Sequence, residues 1–506
     1  MQLDTDLQSI HEMRQAVEKA KKAQEAYLSF SQEQVDRIVK AAAEAAFDQS
    51  LELAVMAVEE TGMGVVEHKK IKNEVGSRAV YESIKDEKTV GVINEDPVNK
   101  VTEIAYPFGL VAGIIPTTNP TSSAIFKALI SLKTRNAIVV SPHPRARKCS
   151  IEALKICHDA AVKAGAPEGI IGWISTPSME ATNELMKHRD VNVILATGGG
   201  GLVRAAYSSG KPAYGVGPGN VPAYIEKSAN VAKAVSMILD SKTFDNGTIC
   251  ATEQAIVVDK NIVEMARREL RNNGAYFVTG DKKAKLEKLI SPYPGKLNPE
   301  IVGQNAEKIA KMAGVEVPAG TRVLIAEETK VGKDIPFSIE KLSPLFALYV
   351  ANTFEDAKNY CIKLLRLGGL GHSLSLHTND DEAAKAFGMA MPVSRMLVNT
   401  LSSIGAVGAT TGLLPSLTLG CGSYGGNITA DNITARHLIN IKRIAYGIKE
   451  VNIPKPSSNC QSFKKEEENL SEIVDQVIKQ LKPDGMPDAR TIADMVNEVV
   501  KKAASQ

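Results

Sequence analysis

Short apolar segments alternate with helical segments from about residue 104 to residue 400, and this alternation constrains the fold more than any other feature. β-branched residues dominate the short segments, which is typical of strands. The predicted strands are GLVAGIIP, AIVVSP, VILATGGG, PAYIEK, QAIVVD, RVLIAE, LFALYV and SLSLHT. We therefore predict an α/β fold with a mostly parallel sheet covered on both faces, and ligands that bind at the carboxyl ends of its strands.

The length of the chain predicts more than one domain. It has 506 residues, which exceeds what one hydrophobic core usually serves. Residues 9 to 62 show the apolar spacing of helices, with Ser31 as a cap between two of them. A second alternating block runs from about residue 251 to residue 400, so we predict two α/β domains after an N-terminal helical segment.

Charge and cysteine content exclude several classes of protein. The 60 basic and 58 acidic residues nearly cancel, which argues against a dedicated nucleic-acid surface. The six cysteines include no CxxC pair, as expected for a protein kept reduced in the cytoplasm. No apolar run approaches ~20 residues, and the first 30 residues carry charges throughout. We expect a cytoplasmic protein without a membrane span or a secretion signal.

The C-terminal segment differs from the rest of the chain. Residues 454 to 469 are polar and rich in turn-forming residues, which is typical of a linker. We predict that residues 470 to 506 form an amphipathic helical tail that either docks on its own domain or binds in a partner's groove. Its apolar stripes are Leu470, Ile473, Val474, Val477, Ile478 and Leu481, and then Ile492, Met495, Val496, Val499 and Val500.

One cysteine stands in a context that suits a nucleophile. Cys250 lies in SKTFDNGTICATEQ, where an Asp-Asn-Gly turn follows a helical segment and precedes a strand. Tight turns and backbone N–H groups lower the pKa of a thiol, and the thiolate is the reactive form. We therefore predict a catalytic thiol with a lowered pKa, and a buried structural cysteine is the alternative.

An asparagine is placed to assist such a nucleophile. In GIIPTTNPTSSAIFKAL, Asn119 stands between a strand and a helix that we expect to begin at Thr121 or Ser122. Its side-chain amide could donate a hydrogen bond to an oxygen that develops negative charge. An ordinary turn asparagine is the alternative.

Two further segments suit a dinucleotide. In ILATGGGGLVRAA, a strand leads into glycines and a helix, so backbone N–H groups and the helix dipole can face a pyrophosphate. SPHPRAR places Ser141, His143, Arg145 and Arg147 after another strand, where they suit the ribose and phosphate of an adenosine cofactor. A plain glycine turn and a solvated loop are the alternatives.

Together these segments resemble the CoA-acylating aldehyde dehydrogenases, which also form one half of bifunctional aldehyde-alcohol dehydrogenases. The resemblance covers roughly residues 10 to 450. The motifs that carry it are, in order, PTTNPTSSAIFKALISLKTRNAIVVSPHPRAR, AAYSSGKPAYGVGPGN, SKTFDNGTICATEQ, EKLSP, GGLGHS and PSLTLGCGSYGGN.

The resemblance implies a fold and a role for each site residue. Two Rossmann-like domains are expected with a small oligomerisation projection: residues 1–245, with a returning segment at about 420–450, bind the cofactor, and residues 246–420 are catalytic. By this resemblance Cys250 is the nucleophile, and Asn119 with the Cys250 backbone amide forms the oxyanion site. The implied cofactor contacts are Ser141, His143, Thr197, Gly198, Gly199 and Glu340.

The resemblance also indicates which acceptor takes the acyl group. Family members that hydrolyse the acyl-enzyme carry a glutamate in an LELGG-like segment, and here GVGPGN has Val216 in its place. Water without a base is a poor nucleophile, whereas the thiol of CoA ionises readily. We therefore expect acyl-CoA as the product, with CoA as co-substrate. NAD is the expected cofactor, and NADP stays possible because Arg145 and Arg147 could accept its extra phosphate.

Histidines contribute one further candidate and no metal site. His372 in GLGHS matches a histidine of the CoA-acylating relatives and could assist proton transfer or position CoA. A strand-end histidine bonded to backbone is the alternative. His377 lies five residues on, which places the two side chains on opposite faces of a strand, so they do not form a metal pair.

Several properties stay open at the level of sequence. Acetaldehyde is the expected substrate, with propionaldehyde, succinate semialdehyde or sulfoacetaldehyde as alternatives. A hydrolytic aldehyde dehydrogenase and a non-catalytic scaffold are the competing functions. By family analogy we expect a homodimer or homotetramer. Residues 470–502 resemble tags that bind shell or cargo proteins of bacterial microcompartments, which offers a second location besides the free cytoplasm.

Overall fold

The computed structural model describes residues 5–453, 468–469, 471–473, 475–476, 479 and 489–503. The chain divides into two compact units, residues 1–445 and 446–506. Within the described residues, no helix is both long enough and apolar enough to cross a membrane.

Five helices precede the sheets in the described residues: the first three cover the segment from residue 9 to residue 62 that the sequence predicted as helical, and two more follow it. Ser31 caps the second of them in a capping box: its hydroxyl accepts from the Gln34 N–H, and the Gln34 side chain accepts from the Ser31 N–H. A π-helical turn, Val75–Ala79, joins the last two. The helices are α1 (Thr5–Tyr27), α2 (Gln32–Asp48), α3 (Ser50–Thr61), α4 (Val66–Glu74) and α5 (Val80–Ile84).

A three-stranded antiparallel sheet joins distant parts of the chain. Its strands are β1 (Gly91–Asp96), β2 (Val101–Pro107) and β15 (Ile439–Ala445), in the order β1-β2-β15. β15 exposes Ile441 and Ile444. The sequence did not predict these strands, because strands with an exposed face lack the continuous apolar run of a strand buried on both faces.

The first large sheet is parallel and has five strands, in the order β5-β4-β3-β6-β7. The strand order reverses at β3, so the loops after β3 and β6 flank a crevice at the carboxyl ends. The strands are β3 (Leu110–Ile114), β4 (Ala137–Ser141), β5 (Ile171–Trp173), β6 (Val193–Thr197) and β7 (Ala213–Val216). The helices between and after them are α6 (Pro120–Lys133), α7 (Arg147–Lys163), α8 (Met179–Lys187) and α9 (Gly200–Tyr207).

The second large sheet is also parallel and has seven strands, in the order β10-β11-β12-β9-β8-β13-β14. The strands are β8 (Val221–Ile225), β9 (Glu253–Asp259), β10 (Ala275–Phe277), β11 (Val323–Glu327), β12 (Leu345–Ala351), β13 (Gly371–His377) and β14 (Val393–Val398). The helices are α10 (Val231–Thr243), α11 (Val263–Asn272), α12 (Gly280–Ile290), α13 (Ala306–Met312), α14 (Phe354–Arg366), α15 (Asp381–Ala390) and α16 (Ser402–Gly405).

Hydrogen bonding locates the change from one large sheet to the other. β7 belongs to the first sheet and β8 to the second, so the chain crosses between Val216 and Val221, before the residue 245 boundary expected from the sequence. The predicted α/β fold with two parallel sheets is confirmed.

The second unit contains a helix, α17 (Ala489–Ala503). Ile492 and Val496, which lie four residues apart on one face, are exposed. In the earlier predicted stripe, Ile473 is half-buried, and its other five residues lie outside the described part of the chain. The two predictions for the tail, docking on its own domain and recognition of a partner, therefore both stay predictions.

Candidate active site

A cavity of about 620 Å³ opens at the carboxyl ends of the strands of the first sheet. The loops that follow β3, β4 and β6 and the end of β7 all contribute to its wall, as the parallel topology requires. His372 is not among the lining residues. The predicted site residues that line the cavity are Asn119, Ser141, His143, Thr197, Gly198, Gly199, Cys250 and Glu340.

A left-handed turn places Cys250 between α10 and β9. Asp245, Asn246 and Gly247 have φ values of 49°, 51° and 78°. Asp and Asn tolerate this region better than most residues, and Gly has no steric penalty there. The Asp-Asn-Gly sequence therefore suits the sharp change of direction that brings Cys250 to the cavity wall.

The electrostatic surroundings of the thiol differ from the sequence expectation. Burial raises the pKa of Cys250 to about 12, and the nearby Glu340 and Cys421 act in the same direction. Arg395 and the backbone N–H of Cys250 oppose this shift without overcoming it. The prediction of a lowered pKa from the turn alone was wrong for this state, because desolvation of the thiolate outweighs the stabilisation from nearby N–H groups.

Asn119 occupies the N-cap position of α6. The helix begins at Pro120, one or two residues before the expected start, because proline suits the first helical position, where no intrahelical N–H is needed. The Asn119 side chain makes no capping hydrogen bond. Instead its Oδ1 accepts from Lys72 Nζ at 2.7 Å, and its Nδ2 donates to Thr118 Oγ1 at 3.2 Å. A hydrogen bond from Lys72 therefore holds the oxygen of the Asn119 amide.

The part of the cavity wall that follows β4 and β6 has the features of a dinucleotide site. Gly199 caps α9, and a Cβ added there would meet no atom within 4 Å, so the space beside the helix N-terminus is open. Backbone N–H groups in such a position suit a pyrophosphate. Ser141 Oγ pairs with Thr182 Oγ1 at 2.7 Å. A nicotinamide dinucleotide would fit these residues, with the helix terminus facing its phosphates, and the contact of Ser141 and His143 with its adenosine side stays a prediction.

Glu340 is the only carboxylate among the described residues of the cavity wall. Its Oε1 accepts from the Gly219 N–H at 2.8 Å, and burial raises its pKa to about 7. Val216, at the end of β7, also lines the wall. The segment that follows Val216 needs glycine at position 219, because a Cβ there would lie 2.0 Å from the Cys250 carbonyl oxygen.

The arrangement of thiol, amide and dinucleotide crevice has known counterparts. The model of the aldehyde dehydrogenase family matches residues 4–334. The chain belongs to the aldehyde dehydrogenase family. It is 51% identical over 442 residues to the bifunctional aldehyde-alcohol dehydrogenase of Escherichia coli. This match covers 86% of this chain and 50% of that protein. The chain thus spans about half the length of such curated relatives.

Solved members of the aldehyde dehydrogenase family extend the comparison. An acetylating aldehyde dehydrogenase from Geobacillus thermoglucosidasius is 55% identical with a TM-score of 0.88, and the match covers 90% of this chain and 100% of that one. A propionaldehyde dehydrogenase from Rhodopseudomonas palustris, solved with bound propionyl-CoA, is 29% identical with a TM-score of 0.78, covering 86% and 94%. The resemblance inferred from the motifs is confirmed.

His372 lies beside this aldehyde dehydrogenase site and is fully buried. A Cβ at Gly219 would lie 3.2 Å from its Cγ, so the ring packs against the glycine segment that also contacts Cys250. Its Nδ1 pairs with Ser373 Oγ at 3.0 Å, and its Nε2 has no hydrogen-bond partner. Burial, with Arg395 nearby, lowers the pKa of His372 to about 3, so the ring is neutral.

Two important groups of the site were missed at the level of sequence. Lys72 and Asp245 form a buried ion pair beneath Asn119. The Asp-Asn-Gly turn signalled a structural role for Asp245, but Lys72 lies in an ordinary lysine-rich helical segment, HKKIKNE, and carries no signal. Within the described part of the chain, no cluster of three or more His, Cys, Asp and Glu side chains could hold a metal.

The raised pKa of Cys250 predicts its reactivity in the absence of nucleotide and CoA. Below its pKa, the thiolate fraction of a cysteine grows about tenfold per pH unit. We expect the rate of Cys250 alkylation by iodoacetamide to keep rising in this way from about pH 7 to about pH 10. Peptide mapping, with Cys250→Ala as control, identifies the modified thiol. A plateau near neutral pH would contradict the burial argument.

Proposed function

We propose that the protein is an NAD(P)-dependent, CoA-acylating aldehyde dehydrogenase that converts a short-chain aldehyde and CoA reversibly to acyl-CoA. The observation that carries this proposal is the convergence of Cys250, Asn119 and Glu340 on one cavity whose wall has Val216 in place of a catalytic glutamate. The solved relative with bound propionyl-CoA supports the use of CoA.

Cys250 and Asn119 have complementary roles in the first step. The Cys250 thiol gives up its proton to solvent and its sulfur bonds to the aldehyde carbon, while the π electrons of the carbonyl move to the oxygen and leave an alkoxide. The Nδ2 of Asn119 and the Cys250 backbone N–H donate hydrogen bonds that stabilise this charge. A bound nicotinamide supplies the hydride acceptor that allows a thioester to remain on Cys250.

The residues of the wall determine what removes the acyl group. Water needs a base, and Val216 supplies none. Glu340 is engaged by the Gly219 N–H, which suits a residue that holds the nicotinamide ribose rather than one that activates water. The CoA thiolate then attacks the thioester carbon and releases the Cys250 thiolate, which takes up a proton. This is the reason to favour acyl-CoA over a free acid.

The lining of the cavity favours an uncharged short aldehyde. Arg145 is the only Lys or Arg among the described lining residues; it follows Ser141 and His143, on the proposed adenosine side, and its Nη2 lies 3.6 Å from Glu300 Oε1. Succinate semialdehyde and sulfoacetaldehyde carry an anionic group, and the lining residues beside Cys250 include no Lys or Arg to pair with it, since the nearby Arg395 donates to backbone carbonyls instead. We propose acetaldehyde as the substrate, with propionaldehyde as the nearest alternative, and NAD as the cofactor.

The first test is whether turnover depends on CoA and on the thiol. We expect NADH formation from acetaldehyde to require CoA and to produce acetyl-CoA. Cys250→Ala should lower the rate at least ~10³-fold, because the covalent step is lost. Absorbance at 340 nm with chromatographic analysis of the product checks both points. Full-speed formation of acetate without CoA would overturn the proposal.

The second test installs the missing base. Val216→Glu should raise CoA-independent acetaldehyde oxidation at least ~10-fold, because general bases typically contribute ~10²–10⁴. Val216→Gln has nearly the same shape without the carboxylate, and it should not increase this rate. Steady-state NADH formation without CoA is the measurement. An equal increase in both variants would show that space, not a base, limits access by water.

The tail supplies a second, separate proposal. We propose that the helical tail binds a shell or cargo protein of a bacterial microcompartment, because α17 exposes Ile492 and Val496 on one face. One solved family member with a TM-score of 0.77 comes from such a compartment. We also propose association into a homodimer or homotetramer through the sheet of β1, β2 and β15.

The tail proposal predicts a separable function. Deletion of residues 455–506 should leave aldehyde dehydrogenase activity within about twofold and abolish co-purification with co-expressed shells. Val496→Glu should act like the deletion, whereas Asn497→Glu adds the same charge one position on and should co-purify normally. Loss of folding in the deleted protein would instead support a tail that docks on its own domain.

A further inference from the structure

Lys72 is a buried side chain whose hydrogen bonds converge on the proposed active site. It lies on α4 and is 4% exposed. Its Nζ donates to Asn119 Oδ1 at 2.7 Å, to Thr248 Oγ1 at 2.9 Å and to Asp245 Oδ2. An ammonium group has three N–H donors and no acceptor, so all its hydrogen-bonding capacity is used.

The bond from Lys72 fixes which end of the Asn119 amide faces the cavity. Because an ammonium group can only donate, the amide oxygen must lie toward Lys72. The Nδ2 group then lies on the other side, where one N–H reaches Thr118 Oγ1 and the second is left for a ligand in the cavity that Asn119 lines. An amide turned the other way would present an acceptor to a negatively charged oxygen.

The charge of the cluster formed by Lys69, Lys72 and Asp245 also favours hydrogen-bond donation by Asn119. Lys69 Nζ also bonds to Asp245 Oδ2, at 3.0 Å, so two buried ammonium groups share one carboxylate. Burial would raise the pKa of Asp245, but the two lysines lower it to about 2. Burial lowers the pKa of Lys72 to about 8 in spite of its carboxylate partner. The excess positive charge polarises the Asn119 amide and makes its N–H a stronger donor.

We propose that Lys72 is a positioning residue that holds the Asn119 amide with its N–H toward the developing oxyanion. Through Asp245 and Thr248, the same side chain ties this amide to the turn that carries Cys250, so donor and nucleophile keep a fixed separation. The proposal rests on the proposed function, in which Asn119 stabilises the alkoxide.

Lys69 provides a matched control. It is buried on the same helix and bonds to the same Asp245 oxygen, but its second partner is the Thr118 carbonyl and not Asn119. Either Lys72→Met or Lys69→Met leaves one lysine paired with Asp245 and removes one buried charge. The two variants therefore differ in the contacts of Lys72 with Asn119 and Thr248, and a comparison with and without Asn119 isolates the first of these.

The experiment is a double-mutant cycle between each lysine and Asn119. Lys72→Met and Lys69→Met are each made with native Asn119 and with Asn119→Ala. The readout is the burst of 4-nitrophenolate when 4-nitrophenyl acetate acylates Cys250, corrected with Cys250→Ala. This acylation passes through an oxyanion but needs neither a nucleotide nor CoA. Acetaldehyde oxidation with CoA is measured in parallel, and thermal unfolding and near-UV circular dichroism confirm folding.

The positioning role predicts a strongly non-additive cycle. Asn119→Ala should slow the burst about 10²-fold, as expected for loss of an oxyanion donor, and Lys72→Met at least about 10-fold. In the Asn119→Ala background, Lys72→Met should cost less than about twofold, because its target is gone. In the parallel assay, kcat should fall with little change in the KM for acetaldehyde. Lys69→Met should cost less than Lys72→Met, by a similar factor in both backgrounds.

Other outcomes separate the two proposals. An equal loss from Lys72→Met in both backgrounds, or an equal loss from the two lysine variants, would overturn the positioning role. If Lys72→Met does not fold, Lys72→Gln supplies the same comparison, and failure of both variants to fold while Lys69→Met folds would show a structural role instead. A native enzyme that gives the ester burst but no acetyl-CoA would overturn the proposed function and leave the cycle intact.

Discussion

The buried carboxylate of Asp245 holds the proposed active site together. It lies between Lys69 and Lys72, and its Oδ1 accepts from the Val65 N–H at 2.8 Å. A Cβ at Gly64 would lie 2.0 Å from this oxygen, so the loop before α4 approaches as closely as glycine allows. Burying these charges has a large desolvation cost, which their mutual attraction and hydrogen bonds offset only in a well-defined geometry. Here it fixes the turn before Cys250 against α4.

Parallel topology explains why so much of the site could be predicted from the sequence. The strands that were predicted from β-branched runs are those buried on both faces, and their carboxyl ends determine where the loops meet. Once Asn119, Ser141 and Thr197 are placed after three such strands, their convergence on one crevice follows. Cys250 and Glu340 instead precede strands of the second sheet, and their proposed roles rest on the family resemblance rather than on topology.

The remaining features depend on contacts between distant parts of the chain. Lys72 and Asp245 are 173 positions apart, and only the packing of α4 against the turn pairs them. The pKa of Cys250 is set by burial, which no local motif specifies. β2 and β15 pair across more than 300 residues, and their exposed faces carry no periodic apolar signal strong enough to predict them. Local sequence patterns therefore predict helices and buried strands, whereas packing between distant segments determines the ion pairs and pKa values of the site.

Burial of the thiol and the absence of a base at Val216 address the same chemical problem. In the proposed mechanism a thioester that waits for CoA must not react with water in the meantime, and a wall without a base beside Cys250 leaves water a poor nucleophile. The cost is a thiol whose pKa is raised by that same burial. In the proposed mechanism, hydrogen bonds that stabilise charge on the substrate oxygen offset the raised pKa of the free thiol. Stabilisation of that charge then depends on Asn119, and hence on Lys72, which we propose orients its amide.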